Sequence, residues 1–346
     1  MYQATFKEYT LNFKVPAGTS RGVLYKKKSW FLILKKENLT AVGECSPIPG
    51  LSPDNINVYG NVISALCTFI NEGYEAGDFG LSEFPSLKFG LETVMKDLKN
   101  GGKRILYPSE FTDGKTSIPI NGLIWMGDRK FMEMQIKEKT VNGFRCIKLK
   151  IGNNDFDSEL SMIRNLRNHY PKIEIRLDAN GAFKPERALV KLEKLAAFGI
   201  HSVEQPIMPG QTELMAELCN KSPVPVALDE ELIGIYNKKQ QLKLLQYIKP
   251  AYIILKPSLL GGYSSCEQWI SLAEFTGTGW WITSALESNI GLNAIAQWAY
   301  ILKSKMVQGL GTGMLYENNF ASPLEIKNAA LYYSPHKQWD ISSILS

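Results

Sequence analysis

Five apolar runs between residues 147 and 256 each close on ionisable residues. Lys148 and Lys150 end Ile-Lys-Leu-Lys-Ile, Asp178 ends Ile-Arg-Leu-Asp, Glu204 ends Ser-Val-Glu, Asp229 ends Val-Ala-Leu-Asp and Lys256 ends Ile-Ile-Leu-Lys. A sixth run closes on Ser284, with Glu287 three residues later. From Lys150 onward the spacings are 28, 26, 25 and 27 residues, the length of one strand-plus-helix repeat. A closed barrel built from such repeats brings all of these groups to one rim, at the carboxyl ends of its strands.

Asp178, Glu204 and Asp229 on three consecutive strands repel one another unless a cation neutralises them. One such acid alone reads as a solvated strand end, whereas three in register read as ligands. Oxygen-only ligation suits a hard ion that retains water, hence Mg²⁺, with Mn²⁺ as a substitute. Zinc fits poorly, because the chain has three histidines and no H-x-H or H-E-x-x-H arrangement. His201 begins a strand and reads as structural.

Base chemistry then falls to lysine. Lys148 and Lys150 lie two apart on one strand and share a face, with Lys256 arriving from the opposite side of the barrel. Neighbouring positive charge and partial burial are what make a lysine a base. A proton next to a carboxylate is very weakly acidic, and its removal creates a doubly charged enediolate that a divalent ion and an ammonium both stabilise. The residues therefore predict metal-assisted proton abstraction beside a carboxylate, with Lys150 as the base.

The elements that position these groups are legible as periodicity. Candidate strands begin at Ile118, Ile147, Ile173, His201, Val224, Tyr252, Trp280 and Val307. Segments such as Asp157 to Tyr170 and Pro185 to Phe198, the latter followed by Gly199, carry apolar residues at helical spacing. Eight strands close a barrel, and no strong helix follows the eighth, so the expected fold is α/β, a TIM-type (β/α) barrel of the (β/α)7β kind. An open doubly wound sheet is disfavoured, since Gly309-Leu310-Gly311-Thr312-Gly313 lacks the G-x-G-x-x-G spacing. Residues 1 to about 46 alternate as an antiparallel meander, and helical stretches near 54–72 and 84–99 complete an α+β unit. The expected division is 1–115, α+β; 116–312, barrel; and 313–346, a segment packing back on the N-terminal unit.

With 346 residues, 45% of them hydrophobic and 21% charged, the chain has the composition of a folded globular enzyme. A formal charge of +5 is small for this length, and Lys26-Lys27-Lys28 reads as a solvated strand edge, so no nucleic-acid partner is expected. No stretch approaches the roughly 20 apolar residues of a membrane span, and no signal peptide is evident. The five cysteines are scattered, without a C-x-x-C pair, which fits a reducing cytoplasm.

Taken together, Lys148-Leu149-Lys150, Asp178-Ala179-Asn180, Glu204-Gln205-Pro206, Asp229-Glu230, Lys256-Pro257 and Glu287-Ser288-Asn289-Ile290-Gly291 resemble the enolase superfamily, in its muconate-lactonizing-enzyme-like subgroup. The resemblance implies that the N-terminal unit is a capping domain whose loops close the barrel mouth and select substrate. Gly43 through Ser52 is similar to the proline-containing loop of the o-succinylbenzoate synthase family. Asn121-Gly122-Leu123, Gly152 and Ser284 through Gly291 are similar to the same family. That resemblance implies dehydration of 2-succinyl-6-hydroxy-2,4-cyclohexadiene-1-carboxylate to 2-succinylbenzoate in menaquinone biosynthesis. Lys150 would act as base and then acid on one face, with Lys256 stabilising the enediolate from the other and Lys148 orienting Lys150.

Around this centre Asn180 is expected to support the metal shell, Glu230 to pair with a lysine, and Arg176 to add charge near the rim. Ser284, Pro49, Gly50 and Leu51 are expected to touch a small-molecule carboxylate substrate. Glu231 departs from the family's usual serine and is read as facing solvent. Two rivals remain: a dipeptide or N-acylamino-acid epimerase using both lysines on opposite faces, and a barrel that binds without catalysis.

Overall fold

The computed structural model describes residues 2–19, 22–152 and 155–345. Three antiparallel strands open the chain in the order β1 (Gln3–Thr19), β2 (Gly22–Lys36) and β3 (Leu39–Cys45). The unbroken run Trp30 to Leu34 has a physical reason, because β2 is buried on both faces. Trp30, Leu32 and Leu34 pack on α1 (Ile56–Asn71) and α2 (Pro85–Lys99), whereas Phe31 and Ile33 meet Ile290, Phe320, Ile341 and Ile344. Lys27 shares the second face. It is therefore buried while Lys26 and Lys28 are exposed, which corrects the reading of all three as a solvated edge.

Helix α1 starts at Asn55, whose side chain accepts from Asn57 N, and α2 starts on Pro85, where a missing N–H costs nothing. Helix α2 lies directly on β3: a Cβ on Gly43 would fall 2.0 Å from Gly90 O, so only two glycines allow this approach.

The chain then reaches β4 (Ser117–Pro119), expected as the first barrel strand. It pairs instead with Ala330–Tyr333 in a separate three-stranded antiparallel sheet. The first barrel strand is the next one, β5 (Gly122–Ile124), because both segments are short apolar runs and only their partners distinguish them. Helix α3 (Arg129–Val141) leads to β6 (Cys146–Lys150), α4 (Phe156–His169) to β7 (Glu174–Asp178), and α5 (Pro185–Ala196) to β8 (Ser202–Glu204). Then follow α6 (Thr212–Lys221), β9 (Val226–Leu228), α7 (Lys238–Ile248), β10 (Tyr252–Leu255), α8 (Pro257–Leu260), α9 (Gly262–Thr276), β11 (Gly279–Ile282) and α10 (Asn289–Ile301).

Strands β5 to β11 form one parallel sheet in sequence order. The eighth position, expected from Val307, is a seam of single bridges: Gln308 pairs with Ile120 and Gly309 with Thr283, both parallel. Gln308 Oε1 also accepts from Ile282 N at 2.7 Å. A Cβ at Gly309 would sit 2.5 Å from Thr283 Oγ1, so the seam closes only on glycine. No eighth barrel helix follows among the described residues. Instead β12 (Leu324–Lys327) and β13 (Ala330–Tyr333) join β4, and α11 (Ser342–Leu345) puts Ile344 against Phe31 and Ile33.

Candidate active site

Parallel pairing sets the rim. Lys150 stands opposite Asp178, and Asp178 opposite Glu204, so one β-ladder aligns three of the sequence-predicted groups. Glu204 pairs with Ala227, and Asp229 follows two residues on at the end of β9. Lys256 follows β10, which is four strands from β6 in a barrel of eight positions; Lys150 and Lys256 therefore enter from opposite sides.

All three carboxylates are 2% exposed. Lys148 Nζ lies 2.9 Å from Asp178 Oδ2 and 2.7 Å from Glu204 Oε1. Burial works against its charge, but Asp178, Glu204 and Asp229 outweigh it and hold the ammonium above its ordinary value. Lys256 pairs with Asp229 Oδ2 and is raised by the same balance. Lys150 Nζ donates to Asn180 Oδ1 at 2.7 Å and lies 3.3 Å from Asp178 Oδ2. Asp178 is buried too, yet Lys148, Lys150 and Lys256 hold its carboxyl below the usual range. Glu204 goes the other way: burial and then the charge of Asp178 push it well up.

Crowded acids of this kind suit a divalent cation. Among the described residues no three His, Cys, Asp or Glu side chains are gathered closely enough to hold an ion as they stand. The ammonium of Lys148 sits between Asp178 and Glu204 instead. The donor set nevertheless fits a hard ion: it is all carboxylate oxygen. In addition, Glu204 Oε2 faces Lys148 at 2.6 Å without the alignment of a hydrogen bond.

Of the outer residues, Asn180 does bridge. Its Nδ2 donates to Glu230 Oε1 at 3.0 Å, so Glu230 reaches Lys150 through Asn180. Arg176 does not stand at the rim. Two residues back along β7, its Nε donates to Glu174, its Nη1 donates to Val307 O and its guanidinium lies 4.3 Å from the Trp281 ring centroid. The long side chain runs toward the amino end of the barrel, where an acid and an indole receive it. Glu231 does not face solvent either. A 3-10 turn at Glu230–Leu232 curls it inward, where Gln205 Nε2 and Gly210 N each donate to it at 3.1 Å. Burial raises its carboxyl. His201 stacks on Tyr252 at 4.8 Å, away from the rim, as a structural residue should.

A cavity opens above the lysines. Lys148, Lys150, Asp178 and Lys256 line it, together with Ser284, Pro49 and Leu51. Gly50 is not on its wall; at φ +77° it makes the turn that presents its neighbours. Ser284 Oγ hydrogen bonds with Thr312 Oγ1 at 2.7 Å. Large apolar side chains on its wall include Leu24, Ile48, Leu123, Trp125, Leu259 and Leu286, none singled out from sequence as a substrate contact. Trp125 follows β5 directly, and placing the first strand at Ile118 hid it; the strand-end rule applied to the correct strand finds it.

Residues 132–336 match the model of the enolase C-terminal domain-like family. The chain is 44% identical to the o-succinylbenzoate synthase of Desulfotalea psychrophila over 95% of its own length and 98% of that protein's. The crystal structure of MenC from the same organism superposes with a TM-score of 0.86 at 40% identity, covering 96% of this chain and 99% of that one. A dipeptide epimerase from Cytophaga hutchinsonii, complexed with Mg and D-Ala-L-Val, gives a TM-score of 0.82 at 19% identity, covering 99% and 97%; it shows the shared fold. The chain belongs to the enolase superfamily, and within it to the o-succinylbenzoate synthase family.

Proposed function

We propose that this protein is an o-succinylbenzoate synthase that dehydrates 2-succinyl-6-hydroxy-2,4-cyclohexadiene-1-carboxylate to 2-succinylbenzoate, a hydro-lyase step of menaquinone biosynthesis in the cytoplasm. The observation that carries the reading is the placement of Lys150 and Lys256 on opposite sides of one cavity, above three buried carboxylates and below apolar walls suited to a six-membered ring. The capping domain (1–115), barrel (116–312) and C-terminal segment (313–346) are the units of this reading.

Lys150 takes the ring proton beside the substrate carboxylate. It then delivers that proton to the hydroxyl leaving from the same face, so water departs and the ring becomes aromatic. Lys256, kept charged by Asp229, stabilises the enediolate from the opposite face. Lys148 fixes the distance between Asp178 and Glu204 and adds positive field beside Lys150. Asp178, Glu204 and Asp229 would hold Mg²⁺, which would supply positive charge against the substrate carboxylate.

Incubating the purified protein with the cyclohexadiene carboxylate and Mg²⁺ should give the aromatic product, read by ultraviolet absorbance. A dipeptide panel in D₂O is the control, and turnover of dipeptides alone overturns the reading.

A further inference from the structure

A second set of buried charges lies beside the cavity, at the junction of the N-terminal sheet and the barrel. Lys27 is 3% exposed, and Glu44 and Glu287 are fully buried. Lys27 Nζ donates to Ser46 Oγ and to Ser29 Oγ, and Ser29 Oγ donates to Glu44 Oε1 at 2.9 Å. Glu44 crosses into the barrel, where it accepts from Ser288 N and Gly291 N at 3.0 Å at the start of α10. Glu287 joins two rim loops: Oε1 accepts from Ser258 Oγ, two residues after Lys256, and Oε2 accepts from Ala285 N at 2.6 Å. Lys27 is close enough for its charge to act on both Glu44 and Glu287.

An apolar contact repeats the same connectivity. Ile48, Leu259 and Ala285 form one small buried cluster, again joining the loop after β3, the turn after Lys256 and the loop after β11. Two independent sets of contacts, one polar and one apolar, therefore tie the same three segments together. A polar network this deeply buried tolerates few geometries, because any displaced member leaves its partner unsatisfied.

We propose that Glu287 is a positioning residue that sets Lys256 through Ser258, and that Lys27 links this setting to the loop 46–51 that walls the cavity. Seating of the capping loop and placement of Lys256 are then one event. The catalytic readout rests on the synthase reading; the exchange readout does not.

Amide hydrogen exchange and steady-state kinetics on the Mg²⁺-supplied full chain test it with Ser258→Ala, Glu287→Ala and Lys27→Met. In Ser258→Ala, which removes one hydroxyl, exchange across 258–260 should quicken and kcat should fall about tenfold with KM nearly unchanged, the scale of one lost bond to a charged group. In Glu287→Ala the Ala285 amide should exchange faster while α1 keeps its protection. Lys27→Met should quicken the Ser46, Ile48, Gly50 and Leu51 amides and those of 258–260 together. Unchanged exchange and kcat in Ser258→Ala, or a Lys27→Met effect confined to 46–51, overturns the proposal. A wild-type protein that fails to turn over the cyclohexadiene carboxylate overturns the synthase reading instead, and the exchange data still decide the positioning role.

Discussion

Asn180 couples Lys150 to Glu230: it accepts from the ammonium at 2.7 Å and donates to the carboxylate at 3.0 Å. Its backbone sits at φ +43°, a conformation that asparagine tolerates better than most residues. Replacing Asn180 with leucine removes both bonds and strains the backbone. Activity should fall about 10–100-fold, the usual cost of losing a group that orients a catalytic or metal-binding residue. Measuring kcat beside the circular dichroism spectrum checks this, and an active Asn180→Leu enzyme contradicts it.

Lys150→Ala should lower kcat by about 10³-fold or more, since it removes the group that both takes and returns the proton. Folding should survive, because Asp178 keeps Lys148 at 2.9 Å. Near-normal turnover in this variant would sink the assignment.

Chelation should abolish activity reversibly, and Mg²⁺ should restore it. Because the three carboxylates are buried, binding should also raise the melting temperature; saturation at 100 times Kd corresponds to about 2.7 kcal/mol. Asp178→Asn should lose both effects. Full activity of metal-free protein refutes the carboxylate site.

Trp125 lies 6.0 Å from Lys150 Nζ by its ring centroid, and Gln135 clamps its backbone N and O at 2.9 and 3.1 Å. Trp125, Leu24 and Leu286 all pack on the cluster of Leu11, Phe13 and Tyr316, and all three line the cavity. Trp125→Ala should raise KM about tenfold or more through lost aromatic contact, with a smaller change in kcat. An unaltered KM removes Trp125 from the substrate wall.

Burial raises Asp54 to about 6, although Ser86 N and Oγ both donate to its Oδ1. The folded state thus prefers the protonated acid. Its contribution is fully present below the unfolded value near 4 and is lost as pH rises through 6, a swing of about 3 kcal/mol at most. Asp54→Asn keeps the acceptor and removes the charge. Thermal melts from pH 4 to 8 should show the variant gaining stability relative to the parent as pH rises; parallel curves rule this out.

The sequence alone determined the rim. Side-chain alternation and the regular repeat length required Lys148, Lys150, Asp178, Glu204, Asp229 and Lys256 to converge once the strands closed, because parallel strands place their carboxyl ends together. Tertiary structure decided what periodicity cannot carry. Ile118 and Leu123 lie in equally short apolar runs, and only partner strands separate an outer antiparallel edge from the barrel. Arg176 shares a face with Asp178, yet its length lets it reach Glu174 at the other end. Lys27 sits in a basic run but packs at a domain junction beside Glu44 and Glu287, residues 17 and 260 positions away, and such long-range pairing leaves no local signature.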